Sequence, residues 1–350
     1  MPPGAPGAAR PLSPRVRNAH RREEARHRPR SAALPCRITI DGVITHGGAS
    51  KIDSCDTYWP VPRRKRYSSP LVTTSDPGQQ HSSARLGWRE SNRAWWDERV
   101  PLHAASELFD VTGFQAGRDT LRPFEAAEVG DVTGKTLLHL QCGIGLDTLS
   151  WARRGARVTG LDFSEPAIER ARTLAAEIGV ADARFVAADV YNATQTLEEE
   201  TFDILYTGIG ALCWLPDLGL WARTVASLMA PGGFLYLVER HPIAEVLGKD
   251  GRTVTRDYFL REAAVTDEAG SYADQSAQTT VNRSVQWQHG LGDVVSTLVA
   301  SGLRLEFLHE HAFTFYPQFP VLQQTVQGIY RIPAGQPQVP LVYSLRAAKQ

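Results

Sequence analysis

Apolar residues follow a repeating strand-and-helix rhythm from about residue 134 to residue 240. Thr136–Leu140 is an apolar run of strand length, followed at once by Gln141, Cys142, Gly143, Ile144 and Gly145, a stretch that lets the backbone turn tightly and pass close to a ligand. A helix is expected next: Asp147 and Thr148 suit its first turn, Leu149, Trp151 and Ala152 supply apolar contacts, and Gly155 suits a left-handed end. A second strand at 157–161 runs into Asp162. Ser164 then caps a helix whose stripe of Ala167, Ile168, Ala171, Leu174, Ala175 and Ile178 stops at Gly179. Further strands are expected at 183–188, 202–206 and 234–238. Asp189 and Val190 follow the first of these and Thr207 the second, and a helix marked by Trp221, Val225, Leu228 and Met229 precedes the third. Strands separated by helices in this order predict an α/β, doubly wound, mostly parallel sheet with a ligand at its carboxyl edge.

The rhythm breaks at 243–288, a polar stretch containing Tyr258, Phe259, Tyr272 and Trp287, which is expected to be an inserted cap on the substrate side. Helical spacing returns at Leu291, Val294, Val295, Leu298 and Val299. A sixth strand at 303–308 and a last one at 341–346 have only a Pro- and Gln-rich connection between them, so this final pair should be antiparallel. Order is expected to begin near Glu90, in a helix carrying Trp95 and Trp96. Adjacent residues cannot share one helical face, so one ring should point elsewhere, either over a ligand pocket or into a docking contact.

Composition separates the two ends of the chain. Residues 1–80 carry 14 Lys+Arg against 6 Asp+Glu and the remainder 24 against 32, so a zero net charge conceals a basic N-terminus and an acidic body. Residues 1–83, rich in Pro, Gly, Arg and Ser, read as a disordered basic extension, leaving 84–350 as the folded domain. An acidic body argues against a nucleic-acid substrate. Cys36, Cys55, Cys142 and Cys213 show neither C-x-x-C pairing nor zinc-site spacing, so no metal is expected, and a reducing cytoplasm suits them. No apolar run reaches membrane-spanning length, and no membrane association is expected.

Asp162 lies 19 positions beyond Gly143, where a ribose would offer its hydroxyls to a carboxylate. A dinucleotide fits poorly. Thr148 stands where the third glycine of G-x-G-x-x-G belongs, and Asp147 would repel a pyrophosphate at the helix N-terminus.

With Gln141-x-Gly143-x-Gly145, Asp162, Asp189-Val190 and a terminal strand pair, residues from about 90 onward resemble a class I S-adenosylmethionine-dependent methyltransferase of the bacterial small-molecule type. That resemblance implies a seven-stranded Rossmann-like methyltransferase fold with an antiparallel last strand and S-adenosyl-L-methionine as cofactor. It also implies that Gly143 and Gly145 lie beneath the methionine moiety, that Asp162 binds the ribose, that Phe163 lies against adenine, and that Asp189 and the Val190 amide meet the adenine edge. Cys142 and Thr207 belong to the same surround. Gln141 replaces the usual acid; its amide oxygen can still accept from the cofactor's ammonium, without charge assistance.

The segment after the fourth strand, Thr207 to Trp214, lacks the Asn-Pro-Pro-Tyr and Pro-Cys signatures of nucleic-acid methyltransferases, which leaves a small-molecule acceptor. In-line positioning can carry most of the rate, so a base is optional. The candidates are His241 and His289, and Tyr206, Trp214, Tyr272, Trp287, Phe313 and Tyr316 are candidate pocket aromatics. An NAD(P)-dependent oxidoreductase and a non-catalytic S-adenosylmethionine-binding protein are the alternative readings.

Overall fold

The computed structural model describes residues 77–326 and 328–349; the expected extension at 1–76 lies outside them. Helices α1 (Pro77–Ala105), α2 (Val111–Gln115) and α3 (Pro123–Val129) precede the sheet. There follow β1 (Thr136–Leu140), α4 (Leu146–Arg153), β2 (Arg157–Asp162), α5 (Glu165–Glu177), β3 (Arg184–Ala187), α6 (Ala193–Thr196), β4 (Phe202–Thr207), α7 (Leu218–Leu228) and β5 (Met229–Arg240). The rest of the chain forms α8 (Pro242–Glu245), β6 (Ala264–Asp267), β7 (Arg283–Gln286), α9 (Leu291–Ala300), β8 (Leu303–His311), β9 (Gln323–Val326), β10 (Ile329–Arg331) and β11 (Val342–Lys349). Helix α1 thus starts before the expected Glu90.

The main sheet has seven strands in the order β3-β2-β1-β4-β5-β11-β8. β3 through β5 pair in parallel, and β11 runs antiparallel to both β5 and β8, as the missing crossover helix requires. Strand alternation sends Leu138, Leu140, Leu205 and Leu235 to one face, under α7 and α9, and Leu137, Ile204 and Tyr206 to the other, under α3 and α4. β5 begins earlier than expected, at Met229, and its pairing with β4 shifts register between Phe202 and Ile204. Among the described residues no helix is long and apolar enough to cross a membrane.

Helix α1 and the hairpin β6–β7 form one cap. The Arg99 guanidinium, fully buried, donates from Nε to Gly270 O at 2.8 Å, from Nη1 to Val281 O at 2.8 Å and Trp95 O at 3.0 Å, and from Nη2 to Thr279 Oγ1 at 3.2 Å. Asn92 exchanges two bonds of 2.8 Å with the backbone of Val285, standing in for a neighbouring strand of β7. Glu98 accepts from the amides of Thr280 and Val281, both at 2.8 Å. Arg99→Ala would leave these carbonyls without donors. It is expected to raise hydrogen exchange and proteolysis within 264–286 while the main sheet stays protected, at a cost of about 3 kcal/mol; unchanged protection of the hairpin would refute this role.

Candidate functional site

The direction of strand connection reverses between β1 and β4, and the glycine turn lies at that switch point. Gln141 takes a left-handed φ of 59°, followed by Gly143 at 55° and Gly145 at 81°. Gly145 caps α4; a Cβ there would lie 2.8 Å from both Ala171 Cβ and the Phe185 ring, so only glycine lets the turn close on α5 and β3. The Gly143 amide donates to Asp162 Oδ2 at 2.9 Å and the Ser164 amide to Asp162 Oδ1 at 3.0 Å, so one buried carboxylate ties the turn to the end of β2. Burial raises the Asp162 pKa to about 6, with Asp97 adding repulsion and the Ser164 and Gly143 amides opposing the rise. Ser164 Oγ donates to Asp97 at 2.6 Å, joining α1 to the same corner.

Beside Asp162 lies a cavity of about 290 Å³ lined by Phe163, Ala187, Ala188 and Asp189, with Arg89, Arg93 and Asp97 of α1 above it. Asp189 Oδ1 accepts from the Tyr191 amide at 2.8 Å, and Oδ2 forms an ion pair of 2.7 Å with Arg89 Nε. The carboxylate expected at an adenine edge is therefore already held by α1. Val190 is buried and packs into the core under α7.

At the other end of the turn, Gln141 Nε2 donates to Ala211 O at 3.0 Å. Because a carbonyl can only accept, this bond orients the amide and leaves Oε1 as the free end. Gln141 Oε1 is buried without a partner, as is Thr207 Oγ1 at the end of β4. Buried polar atoms are rarely left unpaired, so these two, beside the glycine turn and at the end of β4, suit a polar ligand.

A family model described as a methyltransferase domain matches residues 137–233. The chain is 30% identical over 171 residues to a ubiquinone biosynthesis O-methyltransferase of Ralstonia nicotianae, covering 48% of this chain and 63% of that protein. It is 35% identical over 158 residues to the protein of that name from Pseudomonas paraeruginosa, covering 43% and 60%. The alignments thus span less than two thirds of these curated relatives. An S-adenosylmethionine-dependent methyltransferase structure from Mesorhizobium loti is similar at a TM-score of 0.46 and 22% identity, over 65% of this chain and 96% of that one. Residues 137–233 are thus similar to a methyltransferase domain.

Gln141, Cys142, Gly143, Gly145 and Asp162 come together at the switch point, and Phe163 and Asp189 share the adjoining cavity. Cys142 is structural, its amide bonded to Leu161 O at 3.0 Å and its thiol pushed well above the usual range by burial. Desolvation also pushes the thiol of the half-buried Cys213 up to about 12. Asp147 accepts from Thr120 Oγ1 at 2.6 Å.

His241, the expected base, follows β5 directly. It caps α8, with Nδ1 accepting from the Ile243 amide at 3.1 Å, and its Nε2 lies 2.9 Å from the Glu310 carboxylate. Nε2 thus faces an acid of β8. His289 Nε2 donates to Leu215 O at 2.7 Å, a structural bond that fixes the segment before α9. The aromatic candidates scatter: Tyr206 is core, Trp287 packs on Trp88, and Phe313 meets Phe124 and Phe315.

Three further residues stand close to the site that their local sequence did not single out. Glu239, buried at the end of β5, accepts from the amides of Gly210 and Ala211 at 2.8 Å, Leu212 at 3.1 Å and Arg240 at 2.7 Å, and so shapes the loop after β4. Its only local sign was an acid at a strand's carboxyl end. Arg240 donates to Cys213 Sγ at 3.4 Å. His103, on α1, lies in an aromatic cluster with Trp96 at 5.4 Å, Phe109 at 5.0 Å and Tyr272 at 4.9 Å. Trp95 and Trp96 both reach Trp214, each at 5.4 Å, because large rings span the angle between adjacent positions on α1. His103 is buried and its Nε2 has no partner; burial, with Arg99 adding repulsion, lowers its pKa to about 4, so the ring is neutral at pH 7.

Proposed function

We propose that this chain transfers the methyl group of S-adenosylmethionine to a small-molecule acceptor, with an oxygen as the atom methylated. The observation that carries it is the oriented, unpartnered Gln141 Oε1 beside the glycine turn, an acceptor suited to the cofactor's ammonium. Asp162 would take the ribose hydroxyls, Phe163 and Asp189 the adenine end, and Thr207 Oγ1 a further polar contact. Bound there, the sulfonium supplies an electrophilic methyl group. The chain's own contribution is positioning, which can be worth about 7–11 kcal/mol without any base. Oxygen is favoured because the curated relatives are named as O-methyltransferases. Nothing in the family match favours a nicotinamide enzyme, and Asp147 beside the turn opposes a phosphate ligand. Free thiols at Cys142 and Cys213 suit a reducing, cytoplasmic setting.

Isothermal titration with S-adenosylhomocysteine tests the reading. Saturable one-to-one binding is expected; a folded protein that shows none sinks it.

On the acceptor side, the neutral His103 would accept a hydrogen bond from the acceptor's hydroxyl within the Trp96, Trp214 and Tyr272 cluster. His103→Phe is expected to lower kcat/KM about tenfold, the worth of one hydrogen bond, and to leave S-adenosylhomocysteine affinity unchanged. Equal losses in both measurements would mark His103 as a packing residue instead.

A further inference from the structure

A second cavity, of about 480 Å³, opens between the segment after β5 and the segment after β8. Among its lining residues are three cations, Arg240, Lys249 and Arg256, and one acid, Glu245. Arg240 is placed by β5, whose last residue it is, while Lys249 and Arg256 are exposed at the rim. Nη1 of Arg240 makes a long contact of 3.5 Å with Glu245, Nη2 meets only the weak acceptor Cys213 Sγ, and Nε is buried with no partner. Nε and Nη2 form the edge of a guanidinium that receives a carboxylate through two parallel bonds. In Arg240 that edge donates to no carboxylate or carbonyl of the chain, and the Tyr316 hydroxyl lies beside the guanidinium. Glu245 is itself shared, taking a bond of 3.3 Å from Gln318 Nε2, whose own Oε1 is unpartnered and buried.

One loop links the cavity's Arg240 to the site already described. Ala211 O holds Gln141, Cys213 Sγ holds Arg240, and these two loop residues are two positions apart, hence separated by less than about 8 Å. Tyr316 and Phe319 supply apolar walls.

We propose that this cavity is the carboxylate subsite of the acceptor: Arg240 receives a carboxylate on the Nε–Nη2 edge, Lys249 and Arg256 add attraction at the rim, and Tyr316 and Phe319 cover an apolar or aromatic body. The acceptor is thus an organic acid, and the inference rests on the methyl-transfer reading only for the name of the bound molecule, not for the subsite itself.

The test uses the full chain with 3-phenylpropanoate and its uncharged isostere 3-phenylpropanamide as probes, titrated with tryptophan fluorescence as readout, with and without saturating S-adenosylhomocysteine. The acid is expected to bind at least about tenfold tighter than the amide, as a charge-assisted bidentate pair allows. Arg240→Gln should erase that ratio, and the exposed Arg256→Ala should weaken the acid roughly threefold while leaving the amide unchanged. Equal affinity for acid and amide in the unsubstituted protein overturns the subsite, as does an acid preference that survives Arg240→Gln. Should Arg240→Gln fail to fold, the unsubstituted ratio and Arg256→Ala still decide. A protein that prefers the acid yet binds no S-adenosylhomocysteine keeps the subsite and sinks the methyl-transfer reading instead.

Discussion

Lowering the pH from about 7.5 to about 5 is expected to weaken S-adenosylhomocysteine binding roughly tenfold, and Asp162→Asn is expected to remove this dependence. The cause is the position of Asp162 under the glycine turn, where burial raises its pKa from 3.8 to about 6. Ribose hydroxyls donate to an ionised carboxylate, so binding draws on the ionised form, which becomes the minority species in the empty protein below pH 6. Each further pH unit then costs about 1.4 kcal/mol of binding. Stability responds with the opposite sign. A carboxyl group whose folded pKa is raised contributes stability that is full below its ordinary value and is lost as pH rises through the folded value, here between 3.8 and about 6. Acidification should therefore strengthen this group's contribution to the empty domain while it weakens the ligand. At neutral pH, Asp162→Asn keeps an acceptor oxygen for one of the Gly143 and Ser164 amides but loses the charge, and affinity should fall by about 100-fold. Calorimetry at three pH values, on both proteins, checks all of this; an affinity independent of pH, or a slope retained in Asp162→Asn, would show that Asp162 does not meet the ligand.

Glu239→Ala should be the most damaging substitution in the domain. Four backbone amides, of Gly210, Ala211, Leu212 and Arg240, converge on this one carboxylate. Truncation leaves them without an acceptor in a region closed to water, at a cost of at least about 3–5 kcal/mol. Glu239→Gln retains one acceptor oxygen but turns an amino group toward other donors, so an intermediate loss is expected. Urea titration reads the effect as a lower midpoint at unchanged slope. Because the same loop holds Gln141 through Ala211 and Arg240 through Cys213, both the cofactor end and the proposed carboxylate subsite should loosen together. A midpoint within experimental error of the unsubstituted protein would show that the loop is held by something else.

The sequence by itself determined the sheet and its ligand edge. Period-two apolar runs, capping residues such as Ser164 and glycines at left-handed positions are local signals, readable within a few residues of one another. For that reason β1, β2, α5 and the antiparallel final pair lie where they were expected, and Gln141, Gly143 and Asp162 meet as their spacing requires. The acceptor side depended on tertiary structure. Arg99 reaches carbonyls more than 160 positions away, Asn92 pairs with Val285, and Arg89 reaches Asp189 across the cavity. His103 showed no local sign of being buried, and the Glu310 carboxylate beside His241 is a neighbour supplied by β8. Burial, desolvation and the choice of hydrogen-bond partner are set by which segments pack together, and no local pattern encodes them. The glycine turn was therefore readable from its own residues, whereas the cavities beside Asp189 and Arg240 exist only once α1 has packed on the sheet edge and the segments after β5 and β8 have met.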